Sequence, residues 1–339
     1  MKFPLSTLAL LFLLCPPGDA ADLFDAEDGM LDMSQYLAEN RYGFLPVPLA
    51  ITEPAIGYGG GLFGLFLHGK GSREGGQFIP PPLTAFGGAA TQNGTWFIGG
   101  GHRHTWQHDR IRYLAGAGYA NVNLDIYSGD FSHAKPVQTQ TKGVAALQKL
   151  LFRLGDTPVF LGASQVYARA DVSTDNPRLN RVWQQVLGQN STSSALGVVA
   201  EYDTTDNIFY PQSGLALKGE YRFFRSLLGG DYHYNTFSLD GKVFIPLSQT
   251  LTLAVAGNYQ SLTHHDKHLM PMARPYIALR GISRYRYQGD YVATAQTQLA
   301  WAVTPRWILQ GFVGAGSAAD AADTLWEESE VAWGPVFDT

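Results

Sequence analysis

The sequence predicts an all-β protein that crosses a membrane as an antiparallel β-barrel. Only 16% of the 339 residues are charged, whereas soluble domains carry about 25%. Glycine is abundant, with 38 residues, and 13% of the chain is aromatic. A mean hydropathy of −0.09 argues against a helical membrane protein, and a net charge of −5 argues against a nucleic-acid binder, which needs a basic face. A wall with one face in lipid and the other in water combines these properties.

The first 20 residues have the pattern of a secretory signal peptide. Lys2 supplies the positive start, residues 5–15 form the apolar core, and Ala20 precedes the expected cleavage site. The core, ~11 residues long, is too short to span a bilayer. Cys15 is the only cysteine, so the mature chain is predicted to lack disulfides and cysteine metal sites. The chain is predicted to be exported, and no later apolar run is long enough to form a spanning helix. Together these two features indicate the outer membrane of a Gram-negative bacterium.

Residues 21–42 are predicted to form a short periplasmic lead or a plug of the barrel lumen. The segment is acidic, with Asp22, Asp25 and Glu27 near its start. It is too short to fold as a separate soluble domain. The barrel is therefore predicted to occupy residues 43–339.

Apolar and polar residues alternate along the barrel segments, which is the period of a β-strand. In residues 214–225, Lys218, Glu220 and Arg222 alternate with apolar neighbours. The pattern recurs in three later segments, 232–245, 250–261 and 291–303. A soluble β-sandwich would alternate too, but charges of both signs on the polar face and aromatic residues flanking the apolar face favour a membrane barrel.

Fourteen segments have roughly the length of membrane-spanning strands, which need about 9–11 residues when tilted. They are residues 43–52, 56–68, 83–92, 95–105, 110–122, 140–153, 158–170, 193–203, 214–225, 232–245, 250–261, 291–303, 307–315 and 330–339. The connections 123–139, 171–192 and 262–290 are long. Because strands alternate in direction, all three fall on one side, as the extracellular loops of outer-membrane barrels do.

The turn between the eighth and ninth predicted strands carries an ordered set of residues: Asp203, Asp206, Asn207, Pro211 and Gly214. Asp and Asn bind their own backbone, Pro fixes φ, and Gly permits a positive φ. An ordinary turn explains each residue but not the whole set in order. The set resembles the periplasmic turn of the bacterial surface antigen family, the barrel domain of the BamA/TamA outer-membrane superfamily.

A second segment, Leu279-Arg280-Gly281-Ile282, lies inside the long loop 262–290. It resembles the family's Val-Arg-Gly-Phe/Tyr motif in the sixth extracellular loop. The resemblance implies that the loop folds back into the barrel and that its arginine meets acidic and aromatic groups of the inner wall. A buried guanidinium needs such partners, because an uncompensated charge is costly. The alternative is a surface Arg-Gly turn.

A third segment carries Phe312, Gly314 and Gly316 and resembles the family's inner-wall motif. The family often has an acid at the position of Gly314 and another in the preceding strand, where this chain has Gln296 and Gln298. The resemblance therefore implies either a weaker lock or a charge supplied from elsewhere. The candidates for that charge are Glu201, Glu220 and Asp240.

The predicted first hairpin also fits the family, with Pro46 and Pro48 in its first strand and Gly57 and Gly59 in its second. Family barrels have sixteen strands, of which about fourteen are found here, and POTRA domains precede them. An open sheet edge is not viable in lipid. The sheet is expected either to belong to a reading frame that lacks the last strands, which we favour, or to close in some unusual way. No POTRA domain is expected before this barrel.

The resemblance implies a protein that inserts or translocates proteins or lipids at the outer membrane, without enzymatic activity or a cofactor. The implied partners are outer-membrane lipid, unfolded barrel or lipid clients, and the insertion machinery that would assemble the chain itself. A passive pore or structural barrel is the main alternative. A barrel lipid hydrolase is the weaker one, because no G-x-S-x-G elbow is found.

Two further patterns predict no site. Residues 59–64 match G-x-G-x-x-G, but they lie in a glycine-rich strand without a crossover helix. The second pattern is histidine clustering, in His264, His265 and His268 and in the pair His102 and His104. Neither group has the frame of a known metal motif, and histidines of solvated loops and of the lumen are expected instead.

Overall fold

The structure is a computed structural model, and it describes residues 44–53, 56–69, 72–74, 77–79, 81–128, 135–174, 191–207, 211–264, 269, 273–283, 285–304, 307–327 and 329–338. The predicted signal peptide, residues 1–20, and the predicted lead, residues 21–42, lie outside these residues. Both therefore stay predictions.

Sixteen strands and one 3₁₀ turn make up the described part of the chain. The strands are β1 (Phe44–Glu53), β2 (Gly57–Leu67), β3 (Ser72–Glu74), β4 (Gln77–Ile79), β5 (Leu83–Thr91), β6 (Trp96–Trp106), β7 (Ile111–Ser128), β8 (Lys135–Arg153), β9 (Val159–Thr174), β10 (Ser191–Asp203), β11 (Gly214–Phe224), β12 (Tyr234–Pro246), β13 (Leu251–His264), β14 (Tyr291–Ala302), β15 (Ile308–Ala319) and β16 (Glu330–Asp338). The 3₁₀ turn is Ser226–Leu228. No helix in this part is long and apolar enough to cross a membrane.

Fourteen of these strands form one antiparallel sheet in simple chain order. Each predicted segment corresponds to one of its strands, so the all-β class and the strand count are confirmed. The strands β3 and β4 form a separate two-stranded hairpin that the sequence analysis did not predict. In the described sheet β1 and β16 are the two edges and are not paired with each other.

The alternation of faces is confirmed along the sheet. In β10, Val198 is 61% exposed and its neighbour Val199 is fully buried. Val198 pairs with Tyr221 of β11, which is also exposed. Large apolar side chains therefore cover the outer face, while the inner face carries the polar residues.

One prediction about the long connections was wrong. Residues 123–139 were expected to form a loop, but β7 and β8 remain paired as far as Ser128 and Lys135. The polar residues that indicated a loop, among them Asn123 and Gln140, pair in the ladder instead. Strands of 18 and 19 residues are longer than a bilayer requires. Their ends project beyond it, where both faces of a hairpin can be polar.

The two ends of the sheet differ. From β6 onward, short turns such as residues 107–110, 154–158 and 247–250 join strands at one end, and the two longest connections, 175–190 and 265–290, lie at the other. The earlier connection 68–82, which contains β3 and β4, lies at the short-turn end. Outer-membrane barrels have short turns on the periplasmic side. We therefore assign the short-turn end to the periplasm.

Glycines let the first strands lie very close together. A Cβ added to Gly59 would lie 2.3 Å from the carbonyl oxygen of Ala90, and one added to Gly61 would lie 2.4 Å from that of Gly88. Contacts this short are impossible for other residues. The G-x-G-x-x-G pattern thus reflects close approach of strands within the wall.

Candidate functional site

The connection between β13 and β14 folds as a small hairpin. The backbone N–H of Ile277 donates to the carbonyl of Tyr287 at 3.0 Å. Tyr276 and Gln288 form a bridge between the two arms. We call this segment, residues 273–290 apart from 284, the inward loop.

The predicted motif Leu279-Arg280-Gly281-Ile282 forms the turn after the first arm. The N–H of Ile282 donates to the carbonyl of Leu279 at 3.2 Å. Gly281 has φ +82°, the left-handed value that a type II turn requires at its third position. A residue with a Cβ would be strained there, which explains why glycine stands at this place in the motif.

The predicted inner-wall motif receives the side chains of the inward loop. Ile277 and Leu279 are buried in one cluster with Val292 of β14. A Cβ on Gly314 would lie 3.2 Å from Cδ2 of Leu279, and one on Gly316 would lie 2.7 Å from Cγ2 of Ile277. The structure therefore brings these two motif segments together, and the two glycines make room for the loop.

Arg280 reaches the same wall through an aromatic ring. Its guanidinium carbon lies 5.3 Å from the centre of the Phe312 ring, within the range of a cation–π contact. In the part of the chain that the structure describes, no carboxylate forms an ion pair with Arg280. The three candidate carboxylates have other partners: Glu201 pairs with Lys149, Glu220 with Lys218 and Arg222, and Asp240 accepts from Asn258. The expectation that one of them neutralises Arg280 was wrong.

A different arginine holds the inward loop by charge. Arg274 donates to Asp290 from Nε at 3.1 Å and from Nη2 at 2.9 Å. It also pairs with Asp320, which lies in the connection between β15 and β16. The sequence analysis missed Arg274, because Asp320 is distant along the chain and only the fold brings it close.

Tyr287 joins the second arm of the inward loop to the edge strand β16. Tyr287 hydrogen bonds to Glu330. The guanidinium carbon of Arg286 lies 5.2 Å from the centre of the Tyr287 ring. Burial raises the pKa of Tyr287, and the hydrogen bond and charge of Glu330 raise it further. The loop thus contacts β14, β15 and β16 together.

The predicted turn motif lies at the periplasmic end, away from the inward loop. Oδ1 of Asp203 accepts from the N–H of Thr205 at 3.1 Å and from its hydroxyl at 2.7 Å. Oδ1 of Asp206 accepts from the N–H groups of Gln212 and Ser213, at 3.0 and 3.1 Å. Both aspartates therefore cap the backbone, as the sequence predicts for such a turn.

The remaining motif residues complete this turn. Gly214 begins β11 with φ +110°, and a Cβ there would lie 2.4 Å from the carbonyl oxygen of Thr204. Asn207 and Pro211 lie on either side of residues 208–210, which fall outside the described part.

The second oxygen of Asp203 belongs to a buried charge network that the sequence analysis missed. It pairs with Arg112 at 3.1 Å, and Arg112 also binds Asp109 at 2.5 Å. Arg153 binds the same Asp109 at 2.5 Å. The two guanidinium carbons lie 3.9 and 4.4 Å from the ring centre of Phe160, which is fully buried. Arg112, Arg153 and the ring of Phe160 therefore surround Asp109, and Asp203 joins the network through Arg112.

The inner face has a charged half and an amide half. The charges lie on β6 to β12 and include Arg103, Arg112, Lys149, Arg153, Glu201, Lys218, Glu220, Arg222, Asp240 and Lys242. The amides lie on β13 to β15 and are Asn258, Gln260, Gln296, Gln298 and Gln310. The inward loop packs against the amide half, which explains why Arg280 meets no acid there.

The family comparison agrees with this geometry. Residues 118–278 match the Omp85 superfamily domain. That range contains the turn motif at 203–214 and ends just before Leu279. No curated protein sequence matches the chain significantly.

Three solved barrels share the fold at low identity. The BamA structure from Haemophilus ducreyi lacking POTRA domains 1–3 has a TM-score of 0.58 at 11% identity, with 88% of this chain and 64% of that chain covered. CdiB from Acinetobacter baumannii has a TM-score of 0.52 at 12% identity, covering 88% and 53%. CdiB from Escherichia coli has a TM-score of 0.56 at 8% identity, covering 86% and 55%. The chain thus spans less than two thirds of the length of each.

The fold and the matched domain define a class of protein, the β-barrels of the Gram-negative outer membrane. Within that class, residues 118–278 match the Omp85 superfamily domain, so the family resemblance predicted from the motifs is confirmed. The described residues contain no POTRA domain.

Proposed function

We propose that this protein inserts or translocates protein or lipid clients at the outer membrane, and that clients pass into the bilayer beside strand β1. The proposal assigns no catalytic step to the chain. Its main support is that the free edge of β1 has fewer hydrogen-bond donors than an ordinary strand.

Two prolines remove donors from that edge. Pro46 pairs with Gly64, and Pro48 pairs with Leu62, so both lie inside the ladder between β1 and β2. A proline is tolerated in a strand only where the missing N–H would point away from the neighbour. Because Pro46 and Pro48 are two residues apart, both missing donors lie on the free side. A strand that pairs with this edge gains fewer hydrogen bonds and separates more easily.

The inward loop supports the same proposal. It packs on β14 and β15 and leaves less of the lumen open to passive flow. In lipid every backbone group needs a partner, so a weakly paired edge is also a place where an incoming strand can be accepted.

A passive pore is the second candidate. The charged inner face of β6 to β12 favours it, because charged lumen residues are typical of water-filled barrels.

Client insertion into liposomes tests the proposal. The full chain is reconstituted, and folding of an unfolded small outer-membrane barrel is followed. We expect faster folding than in empty liposomes, and slower folding for the double variant Pro46→Ala/Pro48→Ala, which restores both donors. Pro246→Ala, at the end of the interior strand β12, is the matched control and should not change the rate. Equal rates with and without the protein, together with steady client-independent conductance, would establish the passive pore instead.

A further inference from the structure

Three histidines lie on the lipid-facing side of the sheet, where polar side chains are rare. In β6 the even-numbered residues face outward, since Trp96 and Ile98 are 41% and 55% exposed. His102 and His104 continue that row. His68 follows β2 directly and belongs to the same face, because the outward residues of β2 are even-numbered too, as the exposed Tyr58 and Leu62 show.

A threonine hydroxyl joins two of the histidines. Oγ1 of Thr84 lies 2.8 Å from Nε2 of His68 and 2.9 Å from Nδ1 of His102. The ring centres of His102 and His104 are 5.6 Å apart, and that of His104 lies 4.4 Å from the ring of Trp106. We call His68, Thr84, His102 and His104 the histidine cluster.

The cluster lies in the periplasmic leaflet, inside the level of the interfacial tryptophans. Trp106 is the last residue of β6 at the short-turn end, and it is exposed, as tryptophans of an interfacial belt are. His102 is four residues from that end, which corresponds to roughly 10 Å along the membrane normal for a tilted strand. The phosphate and ester groups of lipids lie at the level of Trp106, so the cluster is within reach of a headgroup that is drawn slightly into the bilayer.

A patch of small residues continues from the cluster toward the middle of the bilayer. The outward positions beside it carry Gly100 on β6, Ala115 and Ala117 on β7, and Ala146 on β8. Phe86 borders the patch on the β5 side, and its side chain is exposed. Gln148, which pairs with Ala115 and bonds to Gln165, borders the patch on the β8 side. The small side chains leave a strip of the wall that an acyl chain can follow.

The cluster lacks a counter-charge of its own. Within the described ranges none of the three histidines forms an ion pair, and no set of three metal-binding side chains is arranged to hold a metal ion. The neighbouring outward residue of β7 is Tyr113, and the adjacent cation, Arg103, faces the lumen. Imidazole N–H groups without a carboxylate, at this height, favour an anionic oxygen ligand from the lipid.

We propose that the histidine cluster binds the headgroup phosphate of a glycerophospholipid in the periplasmic leaflet, with one acyl chain lying on the small-residue patch. His104, and whichever of His68 and His102 accepts from the Thr84 hydroxyl, donate to the phosphate oxygens. Trp106 packs beside the glycerol region. This site does not depend on the function proposed above. It would anchor one lipid beside β2, β5 and β6 whatever passes at the edge of β1.

Native mass spectrometry of the folded full chain tests the site. The protein is held in a neutral detergent, and phosphatidylglycerol is added as the probe. We expect one bound lipid, with retention falling about tenfold in the variant His102→Leu/His104→Leu, since charge-assisted hydrogen bonds are lost. His233→Leu, a histidine of the opposite end that bonds to Ser226, should retain the lipid.

Two further probes separate the alternatives. A diacylglycerol with the same tails lacks the phosphate and should bind equally weakly to both proteins, and millimolar inorganic phosphate should not displace the lipid. Heat-modifiable gel migration confirms that each variant is folded. Equal retention of phosphatidylglycerol by the wild type and the double variant overturns the proposal. A dimer that the double variant abolishes would also overturn it and would make this face a contact between two copies of the chain.

Discussion

Leu279 of the inward loop occupies the space that a side chain at position 314 would need. A Cβ on Gly314 would lie only 3.2 Å from Cδ2 of Leu279 and 3.3 Å from Cγ of Gln296. The family motif often has an acid at this position, so the change to glycine removes a charge and creates room for an apolar side chain. Contact between loop and wall is therefore steric here rather than ionic.

Filling the second glycine of the wall should displace the inward loop. In Gly316→Val the new Cβ would meet Ile277 at 2.7 Å and Thr294 at 3.1 Å. Overpacking of this kind costs about 1–3 kcal/mol, so we expect the loop to leave the wall. The measurement is disulfide formation between cysteines introduced at Arg280 and Phe312 in a chain without Cys15.

The same strand supplies the control for this experiment. Gly311 also lies in β15, but a Cβ there meets nothing within 4 Å. Gly311→Val should leave the 280–312 disulfide yield unchanged. If both variants crosslink as well as the parent, the glycines do not position the loop.

Removal of Arg274 should loosen the inward loop less than the substitution Gly316→Val does. In Arg274→Ala the ion pairs with Asp290 and Asp320 are lost. Asp320 is mostly exposed, and exposed pairs contribute only about 0–1 kcal/mol. We expect a few-fold increase in the rate at which an added protease cuts the loop, with a smaller difference between variant and parent at high salt.

Arg286→Ala is the comparison for Arg274. Arg286 lies in the same loop and contacts the ring of Tyr287, so its loss removes one positive charge and leaves the ion pairs of Arg274 in place. Its cleavage rate should stay closer to that of the parent protein. Equal rates for the two variants would show that the ion pairs of Arg274 do not hold the loop.

The strands could be predicted because their signal is local. Val198 and Val199 have the same side chain, and the period of the strand alone decides which one faces lipid. The return of the loop to the inner wall was implied by a motif resemblance, but the contact between Leu279 and Gly314 was not predicted. The absence of an acid partner for Arg280 could not be predicted, because it depends on which half of the inner face the loop packs against.

The network around Asp109 had no sequence signal of comparable strength. Asp109 lies in a tight turn, Arg153 comes 44 residues later, and Asp203 comes 94 residues later. Three consecutive residues of the turn, Gln107, His108 and Asp109, have φ of 52°, 56° and 59°. Such left-handed conformations are unfavourable for residues with a Cβ. The assembled sheet brings two arginines to Asp109, and their interaction with it offsets the unfavourable energy of these three conformations.

Alkaline pH should weaken the second arm of the inward loop. The pKa of Tyr287 is raised in the folded state by burial and by Glu330. A released Tyr287 ionises near its usual pKa of about 10, whereas the packed one keeps its proton, so the stabilising effect is complete below pH 10 and is lost as the pH rises further. A fluorophore attached at position 283 should report loop release as the pH rises above about 10. In Tyr287→Phe this transition should be absent, and a transition of equal size there would exclude Tyr287 as its cause.

Neutralising Asp109 should destabilise the barrel more than any surface change. Its side chain is 1% exposed, and those of Arg112 and Arg153 are 12% and 18% exposed. Asp109→Asn leaves two buried guanidinium groups with only Asp203 as a carboxylate partner. Breaking a buried pair in this way costs about 3–5 kcal/mol. We expect a clearly lower urea midpoint for loss of the folded band on gels.

Asp156→Asn removes a carboxylate from the neighbouring turn and is the matched control. Asp156 pairs with Arg110 at 2.7 Å, but its side chain is 91% exposed, so solvent screens the pair. Its urea midpoint should stay close to that of the parent. If Asp109→Asn shifts the midpoint no more than Asp156→Asn, the charge network does not stabilise the barrel. The left-handed turn must then be stabilised by its backbone contacts, such as the bond from the N–H of Arg110 to the carbonyl of Trp106 at 3.1 Å. The charge network would be a consequence of the turn.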